Sequence, residues 1–459
     1  MPSELREALT AAGASALVPK IIDPILVELQ RRYAPLVRTL PSFRWGSDTY
    51  YFNQRTAVAT GGFVPDGGAS PVSTGTYVQN SFKMAHLQVV GAVTGYAQEV
   101  TQQVIGDLRS TEIEGAIKGY YWDAETGICW GNAASTATGA QPQFDGLDTQ
   151  VSTFSGGYQN ALDQGGANLT LAMLDEVIDM VESNAAESIS DDTWMFLMSS
   201  TANSKISQLL TNQQRFVDKV EVEPGLIVAS YRDVPIVKTT MLSGRNYSVG
   251  AVTGATATTG GSLPATTTYK YIVSAVIARQ GEIAPSAEVS QATGSGSTNT
   301  ITLSFSTPTG LDGLMPTLYK VYRTAAGGAA NSETFLGYVD ATVGFQSDGV
   351  TPILTTSIID TGTALVPQNG STVPGTLPAQ YFGTNTGMLP GAAGMENIYL
   401  LSRDRQNVCR PYVREAMPLD VYPTTSSPDS LPFALVGDMT FAVRAQRFLG
   451  RLSRVTTSV

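Results

Sequence analysis

Thr49-Tyr-Tyr-Phe-Asn-Gln-Arg-Thr-Ala-Val-Ala59 alternates large and polar side chains. It turns through Gly61-Gly-Phe-Val-Pro-Asp-Gly-Gly-Ala-Ser-Pro-Val-Ser-Thr-Gly75 and returns as Thr76-Tyr-Val-Gln-Asn-Ser-Phe-Lys-Met-Ala-His-Leu-Gln-Val-Val90. Two alternating runs on either side of a Gly- and Pro-rich turn predict a long β-hairpin. At ~3.3 Å per residue such arms extend far from a globular body. A two-stranded hairpin alone is marginal in water, and both faces of this one are half polar. Something else must hold it, and a neighbouring copy of the same chain is the natural support.

The composition agrees with a surface shared between copies. Of 459 residues only 15% are charged and 42% are hydrophobic, with 45 Gly and 24 Pro. Such a length favours two or three domains, each with its own core. The net charge of -11 opposes a basic face built to grip nucleic acid. No stretch approaches the ~20 apolar residues of a membrane span. The opening Met1-Pro-Ser-Glu-Leu-Arg-Glu lacks the basic and apolar regions of a signal peptide. Cys129 and Cys409 have no metal-type spacing, and so few cysteines point to assembly in reducing cytoplasm without a disulfide framework.

His86 is the single histidine. A Ser-His-Asp or Cys-His site would have to use it, and a zinc site with two histidines is excluded. Its place within a strand is that of an ordinary, partly exposed residue. Glu112 and Glu114 stand two apart on a helix and face different directions. The Gly-rich stretches at 61–75 and 251–262 lack the strand–Gly–helix context of a phosphate cradle. The reading is a non-enzyme with no catalytic residue, no metal and no cofactor.

Asp23-Pro24 starts a helix, with Asp as cap and Pro in the first turn. Ile25, Leu29, Tyr33 and Leu36 form its apolar stripe. Beyond the hairpin, a helix over 95–105 breaks at Gly106-Asp107. A second runs from about Leu108 to Asp123 and ends at the turn Gly127-Ile-Cys-Trp-Gly-Asn132, followed by a polar loop over 133–166. Helical spacing returns at Leu171, Leu174, Val177, Ile178 and Val181. Thr193-Trp-Met-Phe-Leu-Met198 is a strand buried on both faces. A helix over 203–210 and strands at 226–229 and 234–239 follow, an α+β arrangement. From about Tyr247 the chain turns Thr-, Gly- and Ser-rich, with short strands at 269–278, 300–305, 318–323, 335–339 and 357–359. Helix-free strands at this spacing indicate an antiparallel sandwich. The earlier style resumes at Glu396-Asn-Ile-Tyr-Leu-Leu-Ser-Arg403, which makes the sandwich an insertion. After Asp438 every charge is positive. Arg444, Arg447, Arg451 and Arg454 read as subunit salt bridges, as weak non-specific contact with phosphates, or as a solvated strand face.

This order of helical arm, extended hairpin, long helix ending in Cys-Trp-Gly-Asn (129–132), α/β core and C-terminal strands resembles the tailed-phage major capsid protein of the Hong Kong ninety-seven type. The residues that carry the resemblance are the tip Val64-Pro-Asp-Gly-Gly-Ala-Ser-Pro71 leading to Phe82-Lys-Met-Ala85, the helix–turn over 120–132, and Val436-Gly-Asp-Met-Thr-Phe-Ala-Val-Arg-Ala445. It covers everything except 247–385, where Tyr-Lys-Tyr-Ile-Val-Ser-Ala-Val and Tyr-Lys-Val-Tyr-Arg resemble a fibronectin-III or immunoglobulin-like module. The resemblance implies an N-terminal arm at 1–45, an E-loop hairpin at 46–95 and a P-domain with spine helix at 96–164. It also implies an A-domain in two parts, 165–246 and 389–425, an inserted sandwich at 247–388 and P-domain strands at 426–459.

Phe63, Val64, Pro65, Asp66, Gly67, Gly68 and Pro71 would then be the assembly tip of the E-loop. The implied role is a shell of hexamers and pentamers around double-stranded DNA, assembled in the host cytoplasm and resident in the virion. Portal and cement proteins are possible partners, and no membrane is involved. Family members that crosslink themselves carry Lys before the hairpin proline; Ser70 stands there, so isopeptide chemistry is not expected, and Lys83 reads as a surface charge. No charged helical leader precedes the arm, which implies that any scaffold is a separate protein. The sandwich either stabilises the shell or binds glycans or neighbouring copies. Two other readings share features of the chain, an encapsulin-like compartment and a secreted glycan-binding protein.

Overall fold

The computed structural model describes residues 34–457, except 67, 70–71, 103–106, 134–142, 154–160, 165, 187, 190–192, 213–218, 224–225, 243, 311–312, 347–350, 370–384, 389–395 and 421–428. Ile25, Leu29 and Tyr33 of the expected arm lie outside the described residues, as do Gly67 and Pro71 of the hairpin tip. The chain divides into two compact units.

The smaller unit comprises Val89–Lys118 and Pro418–Leu435, with Met1–Arg31 outside the described residues. Here the strand Ala85–Thr94 lies beside Ser430–Met439. Gly91 is required at that contact, because a Cβ on it would sit 2.4 Å from the Phe433 ring. Thr94 caps helix α2 (Gly95–Thr101) by accepting from the Ala97 amide, and Asp429 receives the Gly95 and Tyr96 amides at 2.7 and 3.2 Å. Asp107 caps helix α3 (Leu108–Trp130) through the Ser110 amide, and that bond and the Gln98 amide hold its carboxyl below the usual range. Val90, Tyr96, Val100 and Leu431 remain exposed.

The larger unit comprises Arg32–Gln88, Gly119–Met417 and Val436–Val459. Its central sheet runs in the order Ala161–Asp163, Leu449–Val455, Glu396–Ser402, Trp194–Met198, Val234–Lys238, Leu226–Tyr231, Lys219–Glu223. Trp194–Met198 is buried along its whole length, as its continuous apolar run predicts. Helix α5 (Leu171–Ala185) sets Leu174, Val177, Ile178 and Val181 against the sheet, capped at its start by Thr170. The parallel pairing of Trp194–Met198 with Val234–Lys238 is bridged by helix α6 (Ser200–Asn212), whose Ala202, Ile206 and Leu210 join the same core.

Three expectations change. Helix α3 does not end near Asp123; 127–130 continue it, because Ile128, Cys129 and Trp130 are all buried and a turn would withdraw them from the core. Within 133–166, read as loop, helix α4 (Leu147–Thr153) buries Leu147 and Val151. The last strand, Leu449–Val455, belongs to the central sheet between Ala161–Asp163 and Glu396–Ser402, and not with a peripheral strand pair as 426–459 was expected to lie.

The Thr- and Gly-rich block forms two main sheets and a small antiparallel pair, Thr342–Phe345 with Pro352–Leu354. One orders Gly244–Ser248, Gly281–Ala284, Thr268–Ile277, Pro316–Arg323, Thr334–Asp340 and Asn385–Met388, with Val289–Ala292 also on Thr268–Ile277. The other orders Thr253–Ala257, Thr300–Ser304, Ser357–Asp360 and Leu365–Gln368. They share one core, in which Tyr271, Val273, Tyr319 and Val321 meet Ile301, Leu303, Ile358 and Leu365. Its assignment as a fibronectin or immunoglobulin type rests on the sequence resemblance alone.

Candidate functional site

The hairpin is anchored at its base and free at its end. Thr49–Ala57 pairs antiparallel with Thr76–Lys83, from Thr49↔Lys83 to Ala57↔Thr76. Pairing stops at Lys83 instead of running on to Val90, since the chain then passes into the separate strand Ala85–Thr94. At the base, alternate aromatic residues form a ladder. Trp45 meets Tyr50 edge-on at 5.0 Å between centroids, Tyr50 stacks on Phe52 at 5.8 Å, and Phe52 on Phe82 at 5.9 Å. Tyr50 and Phe52 are buried with Cys409 and Ala442, and burial pushes the Tyr50 phenol up to about 12. The guanidinium of Arg444 lies 5.6 Å from the Phe52 ring centre and that of Arg405 3.9 Å from Phe43. In the sequence this ladder is carried by two period-two pairs, Phe43 with Trp45 and Tyr50 with Phe52.

Beyond Gln54 the arms emerge from this support. Val58, Tyr77 and Val78 are exposed, and at the tip Phe63 and Val72 have essentially their whole side chains outside the chain's own structure. Pro65 and Gly68 close a turn through a 2.9 Å backbone bond, and the Thr60 amide donates to Ser73 across the loop at 3.0 Å. Val64, Pro65, Asp66 and Gly68 share this exposed tip.

The C-terminal arginines separate into two kinds. Arg447 is exposed and Arg444 half-buried, but Arg451 and Arg454 are interior, which removes both from any charged surface. Arg451 pairs with Asp148 of α4 at 2.6 Å. Lys320 of the inserted block pairs with Asp148 and with Glu282, each at 2.9 Å. Tyr338 donates to Asp148 and Tyr322 to Glu282, while the Lys320 ammonium lies 4.8 Å from the Trp130 ring centre. Two cations and two anions thus meet in a sealed seam where the insertion joins α3, α4 and the central sheet. Burial alone would raise the Asp148 carboxyl, but Arg451 and Lys320 outweigh it and hold it at about 2. Arg454 lies 5.3 Å from the Tyr322 ring centre, and burial lowers its guanidinium to about 9.

Leu36, of the expected arm stripe, is fully buried in helix α1 (Pro35–Thr39). Its amide donates to buried Glu125 of α3 at 3.0 Å, and Thr239 donates to the other carboxylate oxygen. Burial pushes the Glu125 carboxyl up to about 7. A carboxyl raised in the folded state contributes stability that is complete below its ordinary value and lost as pH rises through about 7. Glu125→Gln is therefore expected to flatten the decline in stability between pH 5 and 8, a decline of roughly 3 kcal/mol in the wild type. Urea unfolding of both proteins across that range is the check.

His86 is half exposed and contacts Asp438 at 2.5 Å; Asp438 also takes the Arg414 guanidinium, and that bond holds its carboxyl low. Among the described residues no group of three or more His, Cys, Asp or Glu is arranged to hold a metal, and no helix is long and apolar enough to cross a membrane.

Residues 37–250, a little under half the chain, match the family described as SU10 major capsid protein. By that stretch, the chain is a phage major capsid protein. The match takes in the aromatic ladder, the hairpin, α3, α4 and the central sheet up to Val234–Lys238. Among solved structures, this capsid protein is similar to the capsid of a native GTA particle (7% identity, 98% of this chain and 99% of that one, TM-score 0.48). It is similar also to that of Mycobacterium phage Bobi (8%, 98% and 100%, 0.46) and to the SrpI encapsulin complex of Synechococcus elongatus (10%, 98% and 98%, 0.42). At TM-scores below 0.5 none of these adds weight to the assignment. No curated protein matches the sequence. Major capsid proteins form the shell of the virion, and that is where this chain resides.

Proposed function

We propose that the capsid protein builds its shell mechanically, each copy laying its hairpin tip and N-terminal arm over neighbouring subunits of hexamers and pentamers. The observation that carries this reading is the contrast within one hairpin: a base locked by stacked aromatics, and a tip where Phe63 and Val72 are exposed over essentially their whole side chains and Val64 over nearly half of its own. Each such contact is modest, and closed symmetry multiplies it. The shell encloses double-stranded DNA without reading its sequence. With Arg451 and Arg454 interior, Arg447 and, in part, Arg444 remain for lumen or inter-subunit charge. Separate scaffold, portal and cement proteins complete the particle. Its role is structural, with no reaction assigned to it.

The paired substitution Phe63→Asp with Val64→Asp tests the reading. Both side chains are exposed, so the melting temperature of the unassembled chain should stay within about 2 °C of wild type, as for surface changes worth under 0.5 kcal/mol. The yield of closed shells in sedimentation should fall at least about tenfold, the effect of losing roughly 1.4 kcal/mol per contact. Normal shell yield from this variant would remove the tip from the interface.

A further inference from the structure

The seam between the inserted sandwich and the central sheet brings a nucleophile, an electrophile and a proton carrier together. Lys320, Asp148 and Glu282 are buried, each with no more than 3% of its surface exposed. The Lys320 Nζ lies 2.9 Å from Oδ2 of Asp148 and 2.9 Å from Oε2 of Glu282. Strand pairing fixes this meeting. Lys320 of Pro316–Arg323 stands opposite Ser274 on one side and Tyr338 on the other. Ser274 donates to Oε1 of Glu282 at 2.6 Å, and Tyr322 donates to the same oxygen at 3.1 Å. Asp148 comes from outside the sandwich, on α4. There Arg451 pairs with its Oδ1 at 2.6 Å and Tyr338 donates to its Oδ2. The ring centres of Trp130 and Tyr338 lie 4.8 and 5.6 Å from the ammonium and wall it in.

A buried ammonium and a buried carboxylate each carry a desolvation penalty. Condensing the two into an amide removes both charges, and Arg451 and Glu282 still balance each other in the seam. The geometry suits that step. Nζ touches an oxygen bonded to the carbon it would attack, and it lies within proton-transfer reach of Glu282. Exclusion of water then protects the product from hydrolysis.

We infer that Lys320 and Asp148 condense into an intramolecular amide, with Glu282 as the catalytic base, tying the inserted sandwich covalently to α4. Glu282 takes a proton from the Lys320 ammonium. The freed nitrogen lone pair attacks Cγ of Asp148 and forms the N–C bond. The carbonyl electrons move onto Oδ1, where Arg451 stabilises them. The carbonyl re-forms as the Cγ–Oδ2 bond breaks. Both protons that Nζ gives up pass through Glu282 to Oδ2, which departs as water. Ammonium and carboxylate thus become amide and water, with no change of oxidation state and no co-reactant. The three groups converge only in the folded chain, and Arg451 keeps the carboxylate ionised, so the bond forms slowly, after folding. The ion-paired seam is its precursor. The link lies within one chain and differs from a hairpin crosslink between copies, where Ser70 offers no amine.

Intact mass spectrometry of the denatured full-length chain, fresh and after several days at neutral pH, tests this when followed by tryptic mapping. The wild type should become lighter by the mass of one water. Trypsin should release one branched peptide joining Lys320 to Asp148, with no cleavage after Lys320. Lys320→Arg keeps the charge but has no amine to condense, and its mass should stay that of the full sequence. Glu282→Gln keeps the side chain's size and should slow formation at least about hundredfold, the effect of removing a general base. A wild type that keeps its full mass overturns the link, whether or not either variant folds. So does a lost water that maps elsewhere, such as to a succinimide at Asp145-Gly146. Formation at the wild-type rate in Glu282→Gln would overturn the role of Glu282.

Discussion

Asp148→Ala is expected to cost about 3–5 kcal/mol, the penalty for breaking a buried ion pair from one side. Asp148 answers both Arg451 and Lys320 within the sealed seam, and its loss leaves two cations with Glu282 alone. Since a domain's whole stability is about 5–15 kcal/mol, the variant should unfold near physiological temperature and yield little soluble protein. The cause is separable from mere loss of packing. Adding Arg451→Met removes one stranded cation and leaves the Lys320–Glu282 pair whole, so the double variant should be more stable than Asp148→Ala alone. A coupling of roughly 1–3 kcal/mol is expected. Urea denaturation of the wild type, Asp148→Ala, Arg451→Met and the double variant reads it directly. An Asp148→Ala chain within 1 kcal/mol of wild type would show that water reaches the seam. The sign with pH is opposite to that of Glu125. A carboxyl lowered to about 2 stabilises the fold above its ordinary value and loses that contribution only as pH falls through about 2.

The seam also shows where the sequence falls short as a guide. Arg451 and Asp148 lie 303 positions apart, and each alone looks like a surface charge. Only their meeting makes burial affordable, and no local pattern encodes that meeting. Helix α4 was hidden for a related reason: Leu147-Asp-Thr-Gln-Val-Ser-Thr is short and polar, and its two apolar residues gain meaning from the core they enter. At the end of α3 the glycines 127 and 131 suggested a turn, yet burial of Ile128, Cys129 and Trp130 overrides that local preference. What could be read was periodic. The α5 stripe, the continuous apolar strand Trp194–Met198 and the alternating hairpin follow from spacing alone. So does the division between the α+β core and the helix-free block. Of the tip residues, exposure at Phe63, Val64, Pro65, Asp66 and Gly68 agrees with the expected assembly role, which remains the proposal made above. The last two arginines had the right position in the chain and the wrong surroundings.

Removing 61–75 from the hairpin is the second large effect. The described part of this segment adds no residue to either main core, and the aromatic ladder that fixes the hairpin lies entirely below it. A short turn joining the two arms beyond Gln54 and Val78 keeps their pairing. Loop shortening changes closure entropy only slowly with length, so the deletion should shift unfolding by no more than about 1 kcal/mol. Assembly should respond quite differently. If each tip contributes only about 1–2 kcal/mol to a neighbour, its loss at every interface of a symmetric shell compounds, and closed particles should disappear.

Negative-stain electron microscopy with light scattering, on the full chain expressed alone and on the chain lacking 61–75, tests the central claim most directly. The account predicts closed shells, tubes or capsomer rings from the full chain, and folded, unassembled protein from the deletant. Equally well-formed shells from the deletant, or a clean monomer from the full chain both alone and with its scaffold, would contradict it.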